Sequence, residues 1–275
     1  MKRTLGAFVA ALILWRGIST AVAQDSPTSE PSVRMLQKVI PAVVCITIEG
    51  SGRPAGTARE RFLEDLFGSP GARRTLGTGS GFFISADGYV VTNDHVVHGA
   101  ANDGITVTTQ DGRTHPARLI KTDATRDLAL LKVDPKETFT FIRLDDLSPN
   151  LLGQSVFAIG NPHGLGMSVS RGILSARART LPSFRRGGKD EEDLLQTDAA
   201  LNPGNSGGPM VDLSGKLVAV SRLVYIGDDN TRQAQGISFG VPGNVVRMKI
   251  EEFMRSTGGT PKPPPAKGPL GVPGL

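Results

Sequence analysis

A succession of short β-rich segments, each bounded by Gly, Asp or Asn, limits the possible folds of this chain more than any other feature. The segments occupy most of the chain between residues 43 and 241. Many short strands separated by turn residues favour an all-β barrel or sandwich. We predict strands over residues 43–48, 81–84, 89–92, 105–109, 128–133, 155–159, 216–226 and 237–241.

Helical patterns flank this β-rich region, and two long inserts interrupt it. Apolar residues at helical spacing predict a short leading helix before Pro41 and a closing amphipathic helix. The inserts, at residues 50–77 and 177–193, show no regular pattern, and long loops of this kind are often functional. The apolar positions of the helices are Val33, Leu36, Val39 and Ile40, and then Val246, Ile250, Phe253 and Met254.

The first residues have the pattern of an export signal. Lys2 and Arg3 precede an apolar stretch from Leu5 to Trp15, and residues 21–23 form the small-x-small pattern after which signal peptidase cleaves. The stretch is shorter than the roughly 20 apolar residues that a spanning helix needs. We therefore expect export and no membrane insertion after cleavage. The alternative is an uncleaved signal that anchors the protein to the inner membrane.

The expected organisation is a signal peptide at 1–23, a linker at 24–31, one domain at 32–257 and a tail at 258–275. The tail contains six Pro and five Gly in 18 residues, so it cannot bury a core, and we expect it to be disordered or polyproline II-like. Cys45 is the only cysteine, which excludes an intrachain disulfide. Its apolar neighbours predict a buried strand residue and not a nucleophile.

The charge distribution removes an apparent indication of nucleic-acid binding. The chain has a formal net charge of +5. Lys2, Arg3 and Arg16 in the signal, with Lys262 and Lys267 in the tail, account for all of it. The expected linker and domain together are therefore formally neutral, and we expect no nucleic-acid partner.

The chemistry that the sequence most clearly indicates is nucleophilic catalysis by Ser206. This serine lies in Asn202-Pro203-Gly204-Asn205-Ser206-Gly207-Gly208-Pro209, where glycines permit tight turns with positive φ and leave the hydroxyl accessible. The segment also matches the G-x-S-x-G elbow of α/β-hydrolases, which needs a helix directly after the serine and a later histidine. All four histidines precede Ser206, so that alternative fails. An ordinary Gly-rich turn is the other alternative.

The remaining order is histidine, then acid, then serine. His95 is the strongest candidate base because a predicted strand ends there in a short polar turn. Asp127 is the strongest candidate acid because the apolar strand that follows it can anchor a partly buried carboxylate. The competing residues are His98, His115 and His163, which are favoured as core or surface residues, and Asp123 and Asp134, which are favoured as turn residues.

Four segments in this order resemble the HtrA/Deg family of trypsin-like serine proteases. The resemblance extends from about residue 33 to 256. It implies an all-β fold of two six-stranded antiparallel barrels, with His95 and Asp127 on the first, Ser206 on the second, and no metal or organic cofactor. The segments are Thr92–Val97, Asp127–Leu131, Ala158–Pro162, and Thr197–Ala200 with Gly204–Pro209.

The resemblance also assigns roles around the cleaved bond. Ser206 attacks the carbonyl, His95 transfers the proton and Asp127 orients the imidazole, while the N–H groups of Gly204 and Ser206 form the oxyanion hole. Ala200, six residues before Ser206, stands where enzymes that cleave after basic residues carry an acid. We therefore expect cleavage after small or medium apolar residues. The residues assigned to substrate binding are Leu201, Asn205, Arg222, Leu223, Val224, Ile237 and Phe239.

The chain departs from the family pattern after the closing helix, where we expect no PDZ domain. PDZ-dependent recruitment is therefore not carried over, while a homotrimer formed through the protease domains is retained as a candidate assembly. The insert at 50–77 resembles the family's regulatory loop. We expect a periplasmic serine endopeptidase that cleaves unfolded or damaged proteins. The alternatives are a regulatory protease with one narrow substrate and a non-proteolytic, chaperone-like binder of unfolded chains.

Overall fold

The computed structural model describes most of the expected domain. The described residues are 30–50, 74–100, 104–134, 138–161, 166–181, 191–202, 204–226, 233–257 and 270–271. The expected signal peptide, nearly all of the linker, most of the tail and the central part of each insert lie outside them. Within the described part of the chain, no helix is long and apolar enough to cross a membrane.

The N-terminal half of the domain forms a closed antiparallel barrel. Its neighbouring strands follow the order β1-β2-β3-β6-β5-β4, and the first strand closes the barrel by pairing with both the second and the fourth. The strands are β1 (Val43–Gly50), β2 (Arg74–Phe83), β3 (Tyr89–Thr92), β4 (Ile105–Thr108), β5 (Thr114–Asp123) and β6 (Leu128–Val133).

The C-terminal half forms a second closed barrel, in the order β10-β13-β12-β11-β8-β9. Each barrel has six strands, which confirms the all-β fold that the resemblance implied. A separate short pair joins β7 (Phe141–Ile142) to β14 (Leu270–Gly271). The strands of the second barrel are β8 (Ser155–Gly160), β9 (Ser168–Leu181), β10 (Glu191–Thr197), β11 (Pro209–Val211), β12 (Leu217–Ile226) and β13 (Gln233–Pro242).

Alternating residues of the strands divide between separate apolar clusters. In β6, Leu128 and Leu130 pack into a cluster with residues of both barrels, while Ala129 and Leu131 face the interior of the first barrel. Successive side chains of a strand point to opposite faces, so a strand that is buried on both faces reads as a continuous apolar run. This is why the sequence predicts β6 with its observed bounds. A third cluster fills the interior of the second barrel.

The helices of the described residues are α1 (Pro31–Val39), α2 (Asp94–Val97) and α3 (Gly243–Ser256), and a 3-10 turn follows α1. The predicted leading and closing helices are therefore both present. Met35 and Val39 of α1 and Val246 and Ile250 of α3 enter the cluster that both barrels share. The two helices thus hold the barrels together. The short α2 begins two residues after β3 and carries His95.

Both predicted inserts are shorter than the sequence indicated. β2 begins at Arg74, inside the expected insert 50–77, and β9 and β10 occupy both ends of the expected insert 177–193. The sequence gives no strand signal for β9 because many of its residues, Arg171 and Arg179 among them, are exposed. An exposed strand is held by backbone hydrogen bonds and needs no apolar alternation.

The expectation of disorder in the tail is wrong for Leu270 and Gly271. These residues form β14 and pair in antiparallel register with Ile142 and Phe141 of β7. The pairing uses backbone groups, which a Pro-rich and Gly-rich sequence retains wherever the residue itself is not proline. Composition therefore did not predict this short strand.

Candidate active site

Ser206 lies in a tight turn that leads into β11. Gly204 has φ +95° and Gly207 has φ +84°, in the left-handed region that favours glycine. A Cβ at Gly207 would lie 2.3 Å from the backbone oxygen of Ser80 and 2.3 Å from Thr92 Oγ1, so only glycine fits. Ser206 Oγ donates a hydrogen bond to the carbonyl oxygen of Arg222 at 3.3 Å.

His95 is held by two contacts with Asp127. Its Nδ1 lies 2.7 Å from Asp127 Oδ2, and its backbone N–H donates to Asp127 Oδ1 at 3.0 Å. The side chain of His95 is 11% exposed and that of Asp127 is 2% exposed. A largely buried carboxylate therefore fixes the orientation of an imidazole ring that still reaches the surface.

Asp127 occupies a backbone conformation that is uncommon for residues other than glycine. Its φ is 54°, at the end of the turn between β5 and β6. Asn93 Nδ2 donates to the Asp127 carbonyl oxygen at 2.8 Å, and the buried strand β6 follows directly. Left-handed backbone of this kind persists where surrounding contacts hold it, and it is concentrated at functional sites.

The competing acids lie outside this contact. Asp123 Oδ1 accepts hydrogen bonds from the N–H groups of Thr125 and Arg126, both at 2.9 Å, and so shapes the turn that ends at Asp127. Burial disfavours its charged form, but the hydrogen bonds from Lys249, Arg126 and Thr125 outweigh burial and hold the pKa of the Asp123 carboxyl below its usual value. Asp134 is exposed and pairs with Arg118.

Of the other histidines, His98 is exposed. His115 lies on β5 and meets the ring of Phe139 edge-on at 5.3 Å. His163 lies outside the described residues. The structure therefore brings only His95, among the three described histidines, to Asp127.

Arg222 contributes both its side chain and its backbone to the site. Its Nε lies 3.1 Å from Asp127 Oδ2, the same oxygen that contacts His95 Nδ1. The side chain of Arg222 is 5% exposed. A buried guanidinium next to a buried carboxylate balances the two charges, whereas either group alone would be costly to bury. The sequence indicated Arg222 for substrate binding and did not predict this ion pair.

We call residues 204–208, which surround Ser206, the serine turn. Two backbone donors in the serine turn have no acceptor among the described residues. The N–H of Asn205 donates to the Asn202 carbonyl at 3.0 Å, while the N–H groups of Gly204 and Ser206 on either side of it make no such bond. Donors that remain unused next to a nucleophile are the arrangement that an oxyanion requires. In this state Ser206 Oγ makes no hydrogen bond to the His95 ring, and such catalytic contacts often tighten only when substrate binds.

The residues assigned to substrate binding occupy different environments. Leu201 is buried with the interior cluster of the second barrel, and Phe239 is buried in the cluster that both barrels share. Ile237 is half-buried against that shared cluster, and Asn205 is buried against Gly160. Leu223 and Val224 form part of the ladder between β12 and β13. In the described part of the chain, no group of His, Cys, Asp or Glu side chains is arranged to hold a metal ion.

Sequence reasoning missed Ser80, which contacts the serine turn from the first barrel. Its Oγ donates to the Gly204 carbonyl at 2.5 Å, and its N–H donates to the Ser206 carbonyl at 2.9 Å. The glycines on both sides of Ser80 are the one local signal that could have indicated it. Nothing local predicts a partner 124 residues away.

Comparison with known proteins identifies the family. A family model described as a trypsin-like peptidase domain matches residues 79–220. A probable periplasmic serine endoprotease, DegP-like, of Brucella suis is 40% identical over 187 residues, covering 68% of this chain and 34% of the relative. The protein of the same description from Rhizobium meliloti is 31% identical over 299 residues, covering 93% of this chain and 57% of the relative.

A solved structure is also similar. The structure of an HtrA-type protease with a tripeptide is 30% identical with a TM-score of 0.62, covering 83% of this chain and 64% of that one.

These matches agree with the architecture of the chain. The residues matched by the family model include His95, Asp127 and Ser206. The chain spans between about a third and somewhat more than half of the length of the two curated relatives. The two closed barrels and the identity to DegP-like proteins lead to one conclusion: the chain belongs to the HtrA/Deg family of trypsin-like serine proteases.

Proposed function

We propose that this chain is a serine endopeptidase in which Ser206 is the nucleophile, His95 the general base and acid, and Asp127 the residue that orients the imidazole. The observation that carries the proposal is the buried contact of 2.7 Å between His95 Nδ1 and Asp127 Oδ2, beside a glycine-bounded serine. The unused N–H groups of Gly204 and Ser206 supply the second requirement, a site for developing negative charge.

The reaction follows from these positions. Ser206 Oγ turns from the Arg222 carbonyl to His95, gives its proton to the imidazole and attacks the peptide carbonyl carbon. The carbonyl oxygen becomes an oxyanion that accepts hydrogen bonds from the N–H groups of Gly204 and Ser206. His95 then protonates the leaving amine, and an acyl-enzyme remains on Ser206. Water that loses a proton to His95 hydrolyses this ester and restores the hydroxyl.

Asp127 and Arg222 set the electrostatics of these steps. Asp127 holds the imidazole through Oδ2 and stabilises the imidazolium that forms when Ser206 loses its proton. Arg222 contacts the same oxygen, so the resting pair of Asp127 and Arg222 carries no net charge. The side chain of Arg222 thus supports Asp127, while its carbonyl is released to substrate when Ser206 turns away.

Unfolded or damaged polypeptides outside the cytoplasm are the substrate class that we propose. A chain that pairs with the backbone of β12, which contains Arg222, Leu223 and Val224, must be extended, and unfolded proteins present extended segments most readily. The Brucella suis and Rhizobium meliloti relatives are described as periplasmic endoproteases, and the HtrA-type protease was solved with a tripeptide. A single regulatory substrate and chaperone-like binding without cleavage are the competing functions.

Covalent labelling tests the assignment of the nucleophile. A fluorophosphonate probe is expected to label the purified wild-type protein at one residue, which peptide mapping identifies as Ser206. The Ser206→Ala variant is expected to take up no label. A folded wild-type protein that takes up no label and leaves denatured casein intact would favour the binding function. Label on another serine would contradict the assignment of Ser206.

Cleavage specificity is a separate prediction. We expect efficient hydrolysis after small or medium apolar residues because Ala200 provides no negative charge, and because Ile237 is only half-buried and leaves apolar surface accessible. A peptide library that varies only the residue before the cleaved bond measures this as kcat/KM. Efficient cleavage after Arg alone would contradict the prediction.

A further inference from the structure

Ser80 connects the first barrel to both ends of the candidate oxyanion site. It lies in β2 and is fully buried. Its N–H donates to the Ser206 carbonyl at 2.9 Å, and its Oγ donates to the Gly204 carbonyl at 2.5 Å. One residue of the first barrel therefore binds the two carbonyl groups that bracket Asn205 and Ser206 in the second barrel.

The direction of the Ser80 hydroxyl proton is determined by its neighbours. Ser80 Oγ accepts a hydrogen bond from the N–H of Asn161 at 2.8 Å, so its own proton is directed to Gly204. Thr92 Oγ1 donates to the Ser80 carbonyl at 2.7 Å. All the hydrogen-bonding groups of Ser80 are thus used, and buried groups of this kind are costly to leave unpaired.

The two Ser80 contacts flank the peptide that carries the Ser206 N–H. Ser80 Oγ holds the peptide between Gly204 and Asn205, and Ser80 N–H holds the peptide between Ser206 and Gly207. The peptide that carries the Ser206 N–H lies between them. The carbonyl of this middle peptide, that of Asn205, accepts a hydrogen bond from the Gly208 N–H at 3.0 Å, so turning the plane would break this bond. The two Ser80 contacts hold the flanking peptides in the positions that keep it.

Close packing around Ser80 leaves the turn little freedom to adjust. A Cβ at Gly160 would lie 2.9 Å from Ser80 Oγ, and a Cβ at Gly208 would lie 3.2 Å from Ser80 Cβ. The backbone of the second barrel thus approaches Ser80 at two glycines. The Ser80 hydroxyl therefore lies in a closed site that leaves it little room to move.

We propose that Ser80 is a positioning residue that holds Gly204 and Ser206 in place so that the Ser206 N–H points toward the oxyanion, an inference that rests on the proposed peptidase function. Ser80 touches neither substrate nor the reacting atoms. It acts through the serine turn of the second barrel. Transition-state stabilisation therefore depends on the docking of the first barrel, which carries Ser80, against the second. Replacing Ser80 should therefore weaken stabilisation of the transition state much more than it weakens substrate binding.

The test compares Ser80→Ala with Ser85→Ala. Ser85 is a matched control because it is also a buried serine of the first barrel, and its Oγ accepts a hydrogen bond from the Tyr89 N–H at 3.1 Å, away from the serine turn. We expect Ser80→Ala to lower kcat on a fluorogenic peptide about 10- to 100-fold, up to the loss caused by deleting one oxyanion donor, with KM changed less than about twofold. Ser85→Ala should keep kcat within about threefold of wild type.

A peptide boronate provides a second readout, because its tetrahedral adduct on Ser206 places an oxygen at the oxyanion donors. The affinity of Ser80→Ala for the boronate should fall by about the same factor as kcat, whereas Ser85→Ala should keep the wild-type affinity. Unchanged kcat and boronate affinity in Ser80→Ala would overturn the proposal. Equal losses in the two alanine variants would also overturn it, because they would indicate a general loss of stability.

A conservative variant keeps the proposal testable if Ser80→Ala does not fold. Ser80→Cys retains a group of similar shape whose thiol is a weaker donor and acceptor. Ser80→Cys should show an intermediate fall in kcat with KM unchanged. A rise in KM with kcat unchanged would overturn the proposal.

Turnover by the wild-type protein separates the role of Ser80 from the peptidase function. If the wild type is active and Ser80→Ala is equally active, only the role of Ser80 is overturned. If the wild type is inactive, the peptidase function is overturned and this role with it.

Discussion

Replacing Ser206 with alanine is expected to lower kcat for peptide hydrolysis by on the order of 10⁶-fold, because removal of the nucleophile leaves only the contributions of binding and the oxyanion donors. The folded structure should tolerate this change. The hydroxyl of Ser206 makes one hydrogen bond, to the Arg222 carbonyl, and its loss costs about 1 kcal/mol. The variant should therefore remain folded, bind substrate and fail to cleave it.

The measurement is single-turnover hydrolysis of a fluorogenic peptide, together with thermal unfolding of the same sample. Ser214→Ala is the matched control, because Ser214 is exposed in the turn between β11 and β12, where its Oγ donates to Asp212. We expect Ser214→Ala to retain wild-type activity. Activity of Ser206→Ala above about one tenth of the wild-type value would exclude Ser206 as the nucleophile, since loss of a true nucleophile is far larger.

Replacing Asp127 with asparagine is expected to have a double effect. Loss of the carboxylate leaves the imidazole without the partner that orients it, and kcat should fall on the order of 10⁴-fold. The same change removes the carboxylate that Arg222 contacts at 3.1 Å in a buried site. Breaking a buried ion pair in this way typically lowers the free energy of unfolding by about 3–5 kcal/mol.

A second substitution separates the two effects. In the Asp127→Asn background, Arg222→Met removes the buried guanidinium while retaining an apolar stem. Urea denaturation should then show a higher free energy of unfolding for the double variant than for Asp127→Asn alone, by about 1–4 kcal/mol. Activity should not return. Additive losses of stability in the double variant would show that the ion pair between Asp127 and Arg222 is not energetically coupled.

The strands that the sequence predicts well are those with a strong local pattern. β3 and β6 are observed with the predicted bounds, because Val90, Val91, residues 128–131 and Val133 are buried and apolar. β5 and β9 were not predicted, since most of their residues are exposed or half-buried. Their pairing is decided by the neighbouring strands β4, β6, β8 and β10.

The candidate site shows the same division. Ser206 is indicated by the glycines around it, and Asp127 by the apolar strand that follows it, so both can be selected from adjacent residues. His95 can be selected from the end of β3. The ion pair of Arg222 with Asp127 joins residues 95 positions apart, and the contact of Ser80 with Gly204 joins residues 124 positions apart. No local pattern encodes either contact.

The sequence by itself thus determined the β-rich class, the likeness to the HtrA/Deg family and the residues proposed for catalysis, because turn glycines, apolar runs and motif order are local properties. The tertiary structure alone decided that Arg222 lies on Asp127 and that Ser80 holds the serine turn. The physical reason is that both contacts cross between the two barrels. They exist only where the shared apolar cluster docks one barrel against the other and brings buried polar groups within hydrogen-bonding distance.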